Sequence, residues 1–137
     1  MSVLQICEQD PPAVAPESSV ADAIGHMLDR HVGAVVVVDS ARVVAGIFTE
    51  RDVLKRLALS GRDPAQTQIR EMMTTPVELA TEETTEAEAL AVMLERHYRH
   101  LPVVDNSGRL LGMLSIRHVL ESRVDELIAQ LSEAQAG

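Results

Sequence analysis

Aromatic residues are almost missing from this chain. There is no tryptophan, and Phe48 and Tyr98 are the only other cases among 137 residues. Single-stranded nucleic acid is usually held by bases stacked on aromatic side chains, so that mode is excluded. Positive charge is scarce too: 12 Lys and Arg stand against 21 Asp and Glu, a net charge of -9. Nucleic-acid binders carry a basic face that neutralises phosphates, and this balance runs the other way. A local basic cluster could still hold one small anion. With one cysteine, Cys7, no internal disulfide can form, which suits a reducing cytosol. Cys7 itself reads as a half-buried small apolar residue. No run of about 18 apolar residues exists, so no transmembrane helix is expected. The start, Met1-Ser-Val-Leu-Gln-Ile-Cys-Glu8, has neither the basic opening nor the apolar stretch of a secretory signal. A cytoplasmic protein without membrane contact is expected. No nucleophile–base pair, metal-ligand spacing or Gly-rich loop with a lysine is found, so no catalytic role and no required cofactor or metal are expected.

The apolar fraction of 46% can fill one compact core. Its distribution reveals an internal repeat. Shifted by 66 positions, the two halves align without a gap. Met27-Leu28 falls on Met93-Leu94, Arg30-His31 on Arg96-His97, and Val37-Val38-Asp39 on Val103-Val104-Asp105. Gly46 falls on Gly112, Thr49 on Ser115, Arg51 on Arg117, and Val53-Leu54 on Val119-Leu120.

Each half repeats one order of elements. Short extended pieces open them, Pro12-Ala-Val-Ala15 and Val77-Glu-Leu-Ala80. Ser19-Val-Ala-Asp22 and Thr85-Glu-Ala-Glu88 are capping-box patterns that start helices. Val20, Ile24, Met27 and Leu28 then recur at helical spacing, as do Ala89, Leu90, Met93 and Leu94. The runs Ala34-Val-Val-Val-Val38 and Leu101-Pro-Val-Val104 read as buried strands. Asp39-Ser40 and Asp105-Asn-Ser-Gly108 are turn residues. Second strands follow, Val43-Val-Ala-Gly-Ile-Phe48 and Leu110-Leu-Gly-Met-Leu114, and second helices start after Thr49 and Ser115. A three-stranded sheet covered on one face leaves its other face apolar. Two such halves packed sheet to sheet would hide both. The expected fold is therefore α+β, two β-α-β-β-α repeats forming one module. The first repeat spans 10–60, a linker 61–72, the second repeat 73–126, and a C-terminal helix extension 127–137. Val119, Leu120, Val124, Leu127, Ile128 and Leu131 form a stripe along that last helix. Its later turns have no counterpart in the first repeat, and a dimer contact is expected there.

The most informative segment is Gly46-Ile-Phe-Thr-Glu-Arg-Asp52. Thr49 sits where a strand becomes a helix, and a helix start offers free N–H groups and a positive dipole end to phosphate. Thr49 adds a hydroxyl and Arg51 a charge-assisted donor. Asp52 is placed to accept both hydroxyls of a ribose. Thr-x-x-Asp is equally a capping box, and capping alone explains Thr49 and Asp52.

The run Val32-Gly-Ala-Val-Val-Val-Val-Asp39 followed by Gly46-Ile-Phe-Thr-Glu-Arg-Asp-Val53 resembles a CBS domain, named after cystathionine β-synthase. So does Arg99-His-Leu-Pro-Val-Val-Asp105 followed by Gly112-Met-Leu-Ser-Ile-Arg-His-Val119. The resemblance covers residues 10 to 126. It implies a tandem pair with two ligand clefts around a pseudo-two-fold axis, and frequent pairing into flat homodimers. In one cleft the family's phosphate and ribose motif lands on Thr49, Arg51 and Asp52, with Ile47 and backbone around Val77 beside the base. The other would use Ser115, Arg117 and His118, with Met113 and backbone near Val14. His118 stands where the ribose-binding acid is expected. Arg99 and His100 precede the central strand of the second repeat, facing phosphate, where the first repeat has Gly33 and Ala34. The Asp52 cleft is therefore expected to take a nucleoside monophosphate better, and the His118 cleft to be empty or to hold a more anionic ligand.

The implied function is a regulatory module that binds AMP, ADP or ATP, senses energy or metabolite state, and is read by a partner protein or through its dimer. NAD(H) and S-adenosylmethionine share the adenosine group and stay open as ligands. The competing reading is an interaction or dimerisation module whose clefts are vestigial.

Overall fold

The computed structural model describes residues 2–136. Met1 and Gly137, the latter closing the expected extension, lie outside the described residues. Strand β1 (Ala13–Val14) leads through helix α1 (Val20–Arg30) to strands β2 (Ala34–Val38) and β3 (Val44–Thr49). A short helix α2 (Glu50–Asp52) follows and widens into a π-helical stretch, Val53–Leu57. The second half repeats this with β4 (Ala80–Thr81), α3 (Glu86–Arg96), β5 (His100–Val104), β6 (Leu110–Ser115) and α4 (Ile116–Ala136). Each half forms a three-stranded sheet, ordered β1-β2-β3 and β4-β5-β6. The first two strands of each are parallel and the last two antiparallel.

Both capping patterns start their helices, each with one of the two backbone bonds of a full box. Ser19 and Thr85 accept from the backbone N–H groups of Asp22 and Glu88, 3.0 and 3.2 Å. This satisfies one orphan donor at each helix start. The opposite ends of α1 and α3 turn on His31 and His97, both in the left-handed region, φ 53 and 60. The uninterrupted valine run of β2 is explained by burial on both faces. Val35 and Val37 point into a core with Val20, Met27 and Phe48, while Ala34 and Val36 point at the other sheet. Burying Phe48 completely contributes about 1.5–3 kcal/mol. The second half builds the same core from Ala89, Met93, Leu101, Val103, Leu114 and Val119.

A third apolar layer lies between the sheets, made of Ala34, Val36, Ile47, Leu110 and Met113. The repeat symmetry is visible in its hydrogen bonds. Val43 bridges Arg109, its own equivalent under the 66-residue shift. Val44 N–H donates to the Gly108 carbonyl (3.1 Å) and Leu110 N–H to the Arg42 carbonyl (3.0 Å). Exchanging the halves converts one bond into the other, so the pseudo-two-fold axis passes through this pair.

The halves also exchange closing segments. Residues 68–74 lie along the first half: Gln68 bridges Ser19 and Thr74 bridges Ile47. Ile69 and Met72 sit in that half's core. Their equivalents run along the second half, where Ser2 bridges Thr85 and Glu8 bridges Met113. Val3 and Cys7 are buried in the second core. Burial pushes the Cys7 thiol above its usual range, as a small core residue requires.

Two expectations are corrected. The strand expected at Val77–Ala80 forms at Ala80–Thr81, where Ala80 pairs with Val103 as Val14 pairs with Val37. Leu79 is left exposed. Leu28 and Leu94, set in the helical stripes, are 71% and 60% exposed, and their neighbours Met27 and Met93 fill the cores instead.

Candidate functional site

At the first junction, β3 ends on Thr49 and Asp52 turns back to cap it. Thr49 N–H donates to Asp52 Oδ2 (3.0 Å), and Asp52 N–H donates to Thr49 Oγ1 (3.4 Å). The capping reading is thus realised in full. Asp52 does more than cap. The Thr74 hydroxyl donates to its Oδ1 (2.9 Å) and Arg56 Nε lies 3.5 Å from the same oxygen. The carboxylate is only 4% exposed, and both oxygens are held by protein groups. Glu50 N–H is bonded to the Gly33 carbonyl, so the helix start keeps few free donors. Arg51 is exposed and donates to the carbonyl of His97 in the other repeat (3.3 Å). Met73 and the Thr74 carbonyl approach Gly46 closely, the carbonyl 3.1 Å from where a Cβ would stand.

The second junction is built alike with different chemistry. Ser115 N–H donates to His118 Nδ1 (3.0 Å) and His118 N–H to Ser115 Oγ (3.3 Å). Imidazole replaces carboxylate as the cap acceptor. Ile116 N–H is bonded to the Arg99 carbonyl (2.8 Å), as Glu50 N–H is to Gly33 at the first junction. The helix that begins here runs 21 residues, however, so its dipole end is better developed than at α2.

A cavity of about 230 Å³ opens beside this junction. It gathers Arg99, His100, Met113, Ser115, Arg117 and His118 from the second repeat. Six residues singled out in the sequence therefore share one wall. Gly33 and Ala34 face them from the first repeat, which makes this an inter-repeat cleft. His100 is held down to about 4, first by burial and then by the nearby His118 and Arg99 charges. The imidazole of His100 is consequently neutral at pH 7, and the arginines carry the positive charge. Among the described residues Arg99 makes no ion pair, while Arg117 lies 3.6 Å from Glu121.

Val14 does not line this cavity. Its side chain is in the helix-side core, and Pro11 and Pro12 present the backbone there instead. The repeat explains the correction: Pro11, not Val14, is the equivalent of Val77. Val77 packs against the layer between the sheets. Sequence reasoning also missed Thr74, Arg56 and Glu8. Thr74 and Glu8 were detectable as equivalents under the 66-residue shift, and Arg56 as the helical neighbour of Asp52. A larger groove of about 580 Å³ lies on the outer helical face between α1 and α2. It is lined mainly by Ile24, Met27, Leu28, Val53 and Leu54, and it shares His31 and Val32 with the inter-repeat cavity. Among the described residues no cluster of His, Cys, Asp and Glu is arranged to hold a metal, and no helix is long and apolar enough to cross a membrane.

The CBS-domain family profile matches the chain twice, over residues 3–59 and 69–125. The chain belongs to the CBS-domain family and is a tandem pair of its repeats. It is 37% identical to an uncharacterized 17.7 kDa protein of Acidianus ambivalens, covering 90% of this chain and 73% of that one. It is 35% identical to the CBS domain-containing protein CBSX3 of Arabidopsis thaliana, covering 88% and 60%. The chain thus spans less than two thirds of some curated relatives. The structure of a CBS-domain protein from Burkholderia ambifaria MC40-6 superposes with TM-score 0.82 at 33% identity, covering 90% and 91%. Two more distant structures share the fold. One is CBSX2 in complex with AMP, at 24% identity, TM-score 0.78, covering 90% and 96%. The other is a CBS domain pair in complex with 5′-methylthioadenosine and S-adenosyl-L-methionine, at 22% identity, TM-score 0.83, covering 92% and 98%.

Proposed function

We propose that this chain is a non-catalytic regulatory module that binds an adenine nucleotide between its repeats and so senses energy or metabolite state. The observation that carries the reading is the inter-repeat cavity where Arg99 and Arg117 flank a long-helix start capped by Ser115 and His118. Two arginines beside a helix start suit a phosphate. The adenosine part of the reading draws support from the AMP complex of CBSX2 and the methylthioadenosine complex of another pair. In the first cleft, Ile47, Thr49, Arg51, Asp52 and backbone near Val77 would take the nucleotide. In the second, Arg99, His100, Met113, Ser115, Arg117 and His118 would do so, with backbone at Pro11–Pro12. Asp52 must release the Thr74 hydroxyl to accept a ribose, so binding in the first cleft has to offset that bond.

The module is proposed to act as a homodimer. Leu28 and Leu54, and their equivalents Leu94 and Leu120, are all at least 50% exposed. Together with Val124, Leu127, Ile128 and Leu131 they put apolar surface on the helical side, the usual mark of an interface. The competing reading, a dimerisation module with vestigial clefts, draws on how completely Asp52 is occupied by protein groups. A thermal-shift panel separates the two, with AMP, ADP, ATP, NAD, NADH and S-adenosylmethionine as ligands. One adenosine compound at about 100 times its dissociation constant is expected to stabilise by ~2.7 kcal/mol. A flat response across the panel would decide for the dimerisation module.

A further inference from the structure

The two junctions differ at a pair of positions, not at one. In the first, the acid is Asp52 and its partner across the closing segment is Thr74, Thr74 hydroxyl to Asp52 Oδ1 at 2.9 Å. Under the 66-residue shift Asp52 becomes His118 and Thr74 becomes Glu8. The backbone geometry is conserved between the two cases: Thr74 bridges Ile47 and Glu8 bridges the equivalent Met113. Glu8 and Met113 exchange both backbone hydrogen bonds at 2.9 Å. Both Glu8 and His118 line the second cavity. Each cleft therefore holds one carboxylate and one donor, with the two groups exchanged between helix and closing segment.

We propose that Glu8 is the ribose-binding carboxylate of the second cleft, which takes a ribonucleoside phosphate with a free cis-diol. The inference deepens the function proposed above and rests on it. Glu8 Oε1 accepts from Arg30 (2.8 Å), and Oε2 has no partner among the described residues. Unlike Asp52, Glu8 is partly exposed, at 34% of its side chain, and needs to give up no bond to receive a hydroxyl. Arg30 also donates to the Asp10 carbonyl (2.7 Å), and Glu8 Oε2 is left as the acceptor that faces no protein donor among the described residues. Arg99 and Arg117 line the same cavity and supply the charge for a phosphate. The substitution of acid by histidine at 118 thus relocates the sugar contact and leaves the cleft competent.

The test is a site-resolved amide titration by NMR with AMP and 2′-deoxy-AMP. Amides of Ile47, Thr49 and Asp52 report the first cleft, and those of Met113, Ser115 and His118 the second. AMP is expected to move both sets. Glu8→Gln is expected to weaken the second response at least tenfold and to leave the first unchanged. The parent's second cleft should prefer AMP over 2′-deoxy-AMP, and Glu8→Gln should lose that preference. Arg30→Ala, which removes the ion pair and keeps the carboxylate, should retain the second response. A Glu8→Gln protein that binds like the parent overturns the proposal, as does an equal loss in Arg30→Ala. If AMP moves only the first set, the proposal fails and the nucleotide reading stands. If it moves neither, both fail.

Discussion

Gly112→Ala probes the exchange of closing segments directly. A Cβ at residue 112 would stand 2.5 Å from the Glu8 carbonyl oxygen and 2.7 Å from Cys7 Sγ. Ordinary carbon–oxygen approach is about 3.3 Å or more, so the segment must retreat by roughly 0.8 Å. The Glu8–Met113 bonds, 2.9 Å each, would stretch to about 3.7 Å, beyond hydrogen-bonding range. Losing both costs about 2 kcal/mol at ~1 kcal/mol each. Overpacking adds about 1 kcal/mol at the low end of its range, giving roughly 3 kcal/mol in all. The equivalent Gly46→Ala meets the flexible Met73 thioether and the Thr74 carbonyl at 3.1 Å. A methionine side chain can swing aside, so about 1 kcal/mol is expected there. Equilibrium denaturation of both variants measures the difference. Reactivity of the buried Cys7 thiol toward a soluble disulfide reagent gives a local readout, and it should rise only in Gly112→Ala. A Gly112→Ala protein within about 0.5 kcal/mol of the parent, or one less affected than Gly46→Ala, would refute the reasoning.

Three further outcomes follow from the same geometry. Asp52→Ala removes the cap of Thr49 and strands the Thr74 hydroxyl, and should cost about 2 kcal/mol in denaturation as well as the first cleft's AMP response. His100 is held at about 4, below its ordinary 6.5. Between those values the unfolded chain binds a proton that the folded chain refuses, so stability falls as pH drops through that window. At about 1.36 kcal/mol per unit, the loss from pH 7 to 4.5 is roughly 2 kcal/mol larger in the parent than in His100→Gln, read from denaturation midpoints at the two pH values. Ile128→Glu places a charge in the apolar stripe of α4, and light scattering is expected to show a dimer for the parent and a monomer for the variant; an equal mass for the two would discard that interface.

The repeat made most of the architecture legible. Strands with valine runs, helices opened by Ser19 and Thr85, and the junctions at Thr49 and Ser115 were all readable from local pattern. Three features were not. At 3.6 residues per turn, Met27 and Leu28 stand about 100° apart at the two edges of a broad apolar stripe, and only packing decides which edge is buried. The opening strand of the second half was misplaced because Val77-Glu-Leu-Ala80 alternates well. Pairing with Val103 and Val104 selects Ala80–Thr81 instead. The exchange of closing segments rests on single bridges between residues far apart in sequence, such as Glu8 and Met113, and no local signal encodes it. The same reason hid Glu8 from the site: at position 118 the sequence showed a missing acid, and its replacement lay 110 residues earlier.

The central claim is that the clefts bind an adenosine phosphate. Isothermal titration calorimetry of the folded parent with AMP tests it most directly. Saturable heat, with a stoichiometry of more than one AMP per chain and weaker binding of 2′-deoxy-AMP, is the predicted result. No saturable heat with AMP, ATP, NAD or S-adenosylmethionine at millimolar concentration, from protein shown to be folded and dimeric, would contradict it.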